Sequence, residues 1–266
     1  MKRFSKGTSI SGAESSDGAT NSSGRFPETP DIETSSDNYA SRFSGPIGEW
    51  LLSIQERSTL NMLSDYAGAT VLEVGGGHGQ LTPALVRSGY KVTVLGSDES
   101  CQNRIRPYLE ESLCQFEVGN VLELPYPDNA FDVVISFRFL AHVKQWERFL
   151  FELNRVAKEA VIVDYPTVRS VNSVAPLLFK LKKNVEQNTR PYISYEENQI
   201  FDFLHSIGAQ PQDRYAQFFW PMVLHRMLKS PKVSSLLEAV IRVTGLTAYL
   251  GSPVILKICK ENVQQA

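Results

Sequence analysis

The sequence predicts a doubly wound α/β domain built on an open, mostly parallel sheet. Three observations predict it. Short apolar runs recur between residues 71 and 164, each about the length of one strand. Helix-like segments separate them, and strands apolar on both faces belong in a sheet covered on both sides. A glycine-rich stretch, GGGHG at residues 75 to 79, directly follows the first run within VLEVGGGHGQLT (71 to 82), where the chain must turn from strand to helix.

Residues 1–38 are rich in Ser, Gly, Thr and Asp. They offer too little apolar surface to offset the entropy of ordering and read as a disordered tail. A single domain is expected over 39–266, beginning where aromatics reappear in SDNYASRFSGPIGEW. In residues 49 to 66, the positions Leu51, Leu52, Ile54, Leu60, Leu63 and Tyr66 have the spacing of an amphipathic helix. Val71 to Val74 is the first strand. Pro83 to Ser88 reads as a helix with Thr82 as its cap and Gly89 at its end. Lys91 to Leu95 is a β-branched strand. Cys101 to Leu113 suits a helix that Pro107 kinks or breaks.

Phe116 to Val118, Phe131 to Ser136 and Ala160 to Asp164 continue the strands, with a helix from Trp146 to Ala157 between the last two. Right-handed crossovers between such strands give the doubly wound arrangement. The rhythm then changes. Residues 195 to 207 read as a helix ended by Gly208, and Gln212 to Phe219 as a sixth strand. Pro221 to about Val243 looks helical with a break at Pro231, and PVILKIC at 253 to 259 is a final strand. Two segments, about 166–194 and 221–250, are left over to cap one edge of the sheet as a helical lid.

Composition removes several classes of function. The net charge of −2 over 266 residues excludes a nucleic-acid-binding polycation. Cys101, Cys114 and Cys259 lie far apart and form no CxxC pair, so no metal cluster or disulfide framework is expected. Reduced thiols point to a cytoplasmic location. The chain has no run of 18 apolar residues to span a membrane. MKRFSKGTSISGAESSDG lacks the apolar centre of a secretory signal, and Glu14 and Asp17 speak against a transit peptide.

The glycine loop narrows the ligand. Backbone amides at the start of a helix favour an anion or a carboxylate. A nucleoside-triphosphate loop needs Lys after its last glycine, and this one lacks it. A dinucleotide loop beginning at Gly75 needs its third glycine where Gln80 stands. The match is instead Gly75-x-Gly77-x-Gly79, preceded by Glu73.

That pattern resembles the first motif of the class I methyltransferases that use S-adenosyl-L-methionine. The resemblance continues in VTVLGSDES, which places Asp98 19 residues past Gly79, after the second strand. It continues in VGNVLELPYPDNAFDVVIS, where the LPYPDNAFDVV wording is similar to the small-molecule branch called type 11 and to quinone-biosynthesis methyltransferases. The family implies a Rossmann-like seven-stranded sheet with the last strand antiparallel and helical insertions over the acceptor side. It implies that Gly75, Gly77 and Gly79 carry the methionine end of the cofactor and that Glu73 faces its amino group. Asp98 would take the ribose hydroxyls. Asn120, which replaces the usual Asp, would lie with Val121 at the adenine, and Ser136 after the fourth strand. Tyr39 would close over the bound molecule or serve as an anchoring aromatic.

The implied reaction is in-line methyl transfer to a small-molecule acceptor at oxygen, nitrogen or carbon, without a metal. Orientation of this kind is worth ~7–11 kcal/mol. The alternative is a non-catalytic module of the same fold that binds cofactor or a partner. His142, in SFRFLAHV, is the candidate base by side-chain type, against a purely packing role. His78 would meet the cofactor through its backbone. His205 and His225 read as surface or partner-facing. Arg138 is a candidate for an acceptor's anion or for an ordinary ion pair. Asp164 and Tyr165 would line the acceptor pocket, and Asp132 reads as structural.

The place where amine methyltransferases of nucleic acids resemble one another in Asn/Asp-Pro-Pro-Tyr reads SFRF here, and no Pro-Cys stands there, so a nucleic-acid acceptor is not expected. Between 166 and 232 there are nine Lys or Arg against five Asp or Glu, beside the apolar runs VAPLLF and FFWPMVL. A basic, greasy lid suits an amphiphilic or lipid-linked acceptor, with peripheral membrane contact left open beside a plain sheet-capping role. The oligomeric state is left open.

Overall fold

The computed structural model describes residues 26–171 and 192–260. Its seven strands are β1 (Thr70–Val74), β2 (Lys91–Gly96), β3 (Cys114–Val118), β4 (Phe131–Ser136), β5 (Ala157–Tyr165), β6 (Ala209–Ala216) and β7 (Val254–Lys260). They form one sheet in the order β3-β2-β1-β4-β5-β7-β6. The pairs from β3 to β5 are parallel, and β7 runs antiparallel to both β5 and β6. This is the Rossmann-like doubly wound sheet with an antiparallel last strand. Strand order reverses between β1 and β4, and in open sheets of this kind the carboxyl ends of the strands at such a switch point are where ligands bind.

Alternation along the central strands divides the core. Leu72, Val74 and Val134 face one side, and Val71, Val133 and Ile135 the other, all fully buried. The first side is covered by α6 (Trp146–Val156) and α7 (Glu197–Ser206). In α6 the buried Phe149, Leu150, Leu153 and Val156 fall on one helical stripe. The second side is covered by α3 (Gly45–Met62) and α4 (Thr82–Arg87), through Met62, Leu81 and Leu85.

Several expectations need correction. Residues 26–38, assigned to the tail, fold into α1 (Pro30–Thr34) and the start of α2 (Asp37–Ser41). The reason is one carboxylate. Asp31 is fully buried and accepts hydrogen bonds from Ser97 N (2.6 Å) and Ser97 Oγ (2.5 Å), so a polar segment is held without a greasy face. Residues 1–25 lie outside the described residues, as does 172–191 of the expected lid at 166–194.

Thr82 does not cap α4. It is the first helical residue, and its hydroxyl donates to Glu73 Oε2 at 2.6 Å instead. The segment from Cys101 to Leu113 is not one helix. A short 3-10 turn, Glu99–Gln102, precedes α5 (Arg106–Glu110), in whose first turn Pro107 sits. The second lid segment, 221–250, forms three helices: α8 (Met222–Leu228), α9 (Pro231–Val243) and α10 (Leu246–Leu250). Among the described residues no helix is long and apolar enough to cross a membrane.

Candidate cofactor and acceptor site

The site lies at the carboxyl ends of β1, β2, β4 and β5. Leaving β1, Gly75 takes a left-handed φ of 74°, and its N–H donates to Leu95 O of β2 at 2.8 Å. Residues 76–78 make a 3-10 turn that Gly79 closes at φ 65°. The resemblance implies that Gly75, Gly77 and Gly79 carry the methionine end of a cofactor. The structure shows that the chain itself already fills the space. A Cβ on Gly75 would strike the Phe139 ring, and one on Gly76 the Glu73 carboxylate. One on Gly77 would strike Cys101 O and Ser35 Oγ.

Glu73 is almost fully buried on the α4 side of β1. Thr82 engages one of its oxygens, while Oε1 has no hydrogen-bond partner. Burial pushes its pKa up to about 8, and the Thr82 hydroxyl offsets this only in part. His78 is equally buried. Its Nδ1 accepts from Gln80 N at 3.1 Å and its Nε2 is unpartnered. Burial, with Arg138 and Arg104 nearby, pushes its pKa down to about 3, so the ring is neutral. Ser35 Oγ, Gln80 Oε1 and Arg138 Nη1 are also buried without a partner. Unpartnered polar atoms such as Glu73 Oε1 and Gln80 Oε1 beside one loop make it the candidate ligand site, because buried polar atoms are otherwise nearly always paired.

Asp98 follows β2 with its side chain exposed. Ser100 N (2.9 Å) and Ser100 Oγ (2.6 Å) both donate to its Oδ1, and these bonds hold its pKa below the usual carboxylate range. A fixed, ionised carboxylate at this edge can accept from a vicinal diol. Asn120 follows β3, and its Oδ1 accepts from Leu122 N at 3.0 Å. Val121 is fully buried, and so is Ser136, whose hydroxyl donates to Val74 O at 2.9 Å. Ser136 therefore ties β4 to β1 instead of offering its hydroxyl to solvent.

The LPYPD wording also has a local cause. Arg155 of α6 donates to Tyr126 O (2.8 Å), Asp128 Oδ1 (2.9 Å) and Leu124 O (3.0 Å) while pairing with Glu152. One guanidinium thus pins the loop that leads into β4. Asp132 is structural as expected, accepting from Thr70 N and Thr70 Oγ1 at 2.8 Å.

On the acceptor side, Arg138 takes a left-handed φ of 59° just past β4. Its N–H donates to Asp164 Oδ1, and its Nη2 donates to Gln55 Oε1 at 2.9 Å. Its guanidinium stacks 3.8 Å from the Phe43 ring centroid, and Arg226 of α8 lies 5.8 Å from the same centroid. The ordinary ion pair foreseen for Arg138 is thus a neutral amide and an aromatic face. Tyr39 is half-buried in α2, with its ring 6.0 Å from Phe43 and Arg42 over its face. Asp164 is buried at the end of β5 and its pKa is pushed up to about 6. Tyr165 is fully buried and donates to Glu197.

His142 ends a 3-10 turn past β4 and is half-buried. His205 is exposed, as foreseen. His225 is not. It is fully buried, its Nε2 lies 3.0 Å from Glu238 Oε1, and its ring meets Trp50 edge-on at 5.0 Å. The apolar pocket between α3 and α8 takes the imidazole because Glu238 supplies its polar partner. Among the described residues no cluster of His, Cys, Asp and Glu could hold a metal ion. Asp31, Gln55 and Glu238 went unnoticed in the sequence as isolated residues in ordinary helices, and Phe43 as one aromatic in the turn between α2 and α3.

A seven-stranded sheet of this order, with a glycine turn after β1 and a fixed carboxylate after β2, defines the class of Rossmann-like class I methyltransferase folds. More particularly, residues 72–163 match the family model described as methyltransferase domain, Methyltransf_11. The chain is similar to ajmaline N-methyltransferase of Rauvolfia serpentina, 42% identical over 53 residues, which cover 20% of the chain and 18% of that enzyme. The chain thus spans less than a fifth of that relative's length. It is 27% identical to demethylmenaquinone methyltransferase of Tropheryma whipplei (strain Twist) over 201 residues, covering 66% of the chain and 81% of that protein. Among solved structures it shares its fold with magnesium protoporphyrin IX methyltransferase from Synechocystis PCC 6803 with bound SAH. There the TM-score is 0.57 at 14% identity, covering 85% of this chain and 93% of that one.

Proposed function

We propose that this protein binds S-adenosyl-L-methionine and transfers its methyl group in line to a small-molecule acceptor. The observation that carries the reading is that the paired parallel strands β1 and β2 bring, at their carboxyl ends, the unpartnered, buried Glu73 Oε1 before the glycine turn and the exposed, ionised Asp98. The first suits a cationic amino group and the second a ribose. Asn120 and Val121 stand at the next strand end for the adenine. When bound, the cofactor supplies a carbon activated by its sulfonium, and the protein supplies orientation and electrostatics. Tyr39 and Phe43 then form part of the wall nearest the acceptor.

Arg138 and Arg226 make that wall cationic, with aromatic surface between them. This combination supports an anionic or amphiphilic acceptor, including a lipid-linked one, methylated at oxygen, nitrogen or carbon. His142 is the proposed base where the acceptor must lose a proton. The free thiols of Cys101, Cys114 and Cys259 support a reducing, cytoplasmic setting.

Titration calorimetry with S-adenosyl-L-methionine and its demethylated product tests the first half. Micromolar binding of both is the expected outcome, and binding of neither overturns the reading. Incubation with methyl-labelled cofactor and a fractionated lysate tests the second half. Label in a small molecule supports transfer. Tight binding with no labelled product in any fraction points instead to the non-catalytic module.

A further inference from the structure

Helix α9 is amphipathic in the reverse of the usual sense. Its buried positions include Ser234 and Glu238. Glu238 accepts from Phe219 N, Trp220 N and His225, and Arg242 donates to Ala216 O and Gln217 O, so the helix spends its polar groups on the protein interior. Its apolar residues point outward. Val233, Leu236, Val240 and Val243 follow one another at spacings of three and four and share one face. Leu236 is 65% exposed, Val240 57% and Val243 89%. Met227 of α8 and Tyr249 of α10 add 50% and 62% exposed surface. A soluble chain rarely shows water a contiguous apolar face of this kind without a use for it.

The charges say what covers it. Across residues 221–250 the only acidic side chain is Glu238, which is buried against His225. Arg226, Lys229, Lys232 and Arg242 are the cations, with Lys229 and Lys232 exposed where α8 passes into α9. An apolar stripe bordered by cations, with no exposed anion, is complementary to a bilayer carrying negative headgroups. A second copy fits worse, because a two-fold contact through this face brings the same lysines toward each other. We propose that the outer face of α8 to α10 is a docking surface for anionic phospholipid membranes. The face adjoins the acceptor wall, since Arg226 of α8 and Arg138 share the Phe43 ring. The inference goes beyond methyl transfer, and vesicle binding reads it without cofactor or acceptor.

The test is co-sedimentation of the full chain with vesicles of phosphatidylcholine alone or mixed with phosphatidylglycerol, at low and high salt. The wild type should bind the anionic vesicles at least about tenfold more tightly than the neutral ones, and lose that margin in high salt. Lys229→Glu with Lys232→Glu should remove the preference. Leu236→Glu with Val240→Glu should abolish binding while leaving the melting temperature and cofactor affinity unchanged, because both side chains are exposed. No sedimentation of the wild type, or equal sedimentation with both vesicles, overturns the proposal. A concentration-dependent dimer that Leu236→Glu with Val240→Glu makes monomeric overturns it in favour of self-association.

Discussion

The main-chain N–H of Arg138 donates to the buried carboxylate of Asp164 across 2.5 Å, joining the end of β4 to the end of β5. The bond holds a non-glycine residue at a positive φ, which is costly without such a restraint. Asp164→Ala should cost about 1–3 kcal/mol, because it strands a polar group at the strand end. Asp164→Asn keeps an acceptor and should retain most of the stability. The folded carboxyl titrates near 6, above its ordinary 3.8, so its proton is favoured in the fold and stability falls as pH rises through that window. Denaturant titrations at several pH values should show this slope in the wild type and its loss in Asp164→Asn. Equal stability of the Ala and Asn variants would remove the restraining role.

Glu73 should release a proton when the cofactor binds. Free, its carboxyl is protonated up to about pH 8 because burial disfavours the charge. A cationic amino group beside Oε1 stabilises the ionised form and drives the proton off. Calorimetry at pH 7 in buffers of different ionisation enthalpy should count that proton, and Glu73→Gln should eliminate it and weaken binding. Without ligand, stability should fall by at most about 1.4 kcal/mol per pH unit from the ordinary carboxyl range up to pH 8, and this slope should vanish in Glu73→Gln. A buffer-independent binding enthalpy for the wild type would separate Glu73 from the amino group.

Asp98 offers the opposite signature. Its side chain is exposed and its bonds to Ser100 are local, so Asp98→Ala should shift the melting temperature little. Cofactor affinity should drop about 10- to 100-fold, the worth of charge-assisted bonds to a diol. Unchanged affinity in direct titration would assign the ribose elsewhere.

Glu238 anchors the connection from β6 into α8 by taking two main-chain N–H groups at 3.0 Å and the His225 ring. Glu238→Ala leaves the buried His225 ring and two part-buried main-chain N–H groups without an acceptor and should destabilise by about 2–4 kcal/mol. Glu238→Gln, which keeps one acceptor oxygen, should lose less. Thermal melts of the two variants check the order.

For His142, the pH–rate profile of methyl transfer decides its role. Removal of a base in His142→Gln should lower the rate at neutral pH and erase the lower limb of the profile. Superimposable profiles would leave it a packing residue.

The central sheet was readable because its strands carry their signal locally. FDVVIS gave β4 with its observed bounds, and Pro231 marked the break between α8 and α9. The positions of the glycine turn, Asp98 and Asn120 were readable because each follows a strand end at a short offset. Interactions between distant side chains were not readable. Asp31 orders a polar segment through Ser97, and nothing near Asp31 announces it. His225 was placed at the surface because its buried partner stands thirteen positions away on another helix. Thr82 has the residue type of a cap, but a stronger acceptor, the Glu73 carboxylate, takes its hydroxyl.

Arg138, just past β4, and Arg226, in α8, both lie over the ring of Phe43 to form one wall. During synthesis that wall cannot assemble until α8 has left the ribosome. A nascent chain that has already made β4 therefore carries Phe43 and Arg138 but still lacks the second cation of the wall.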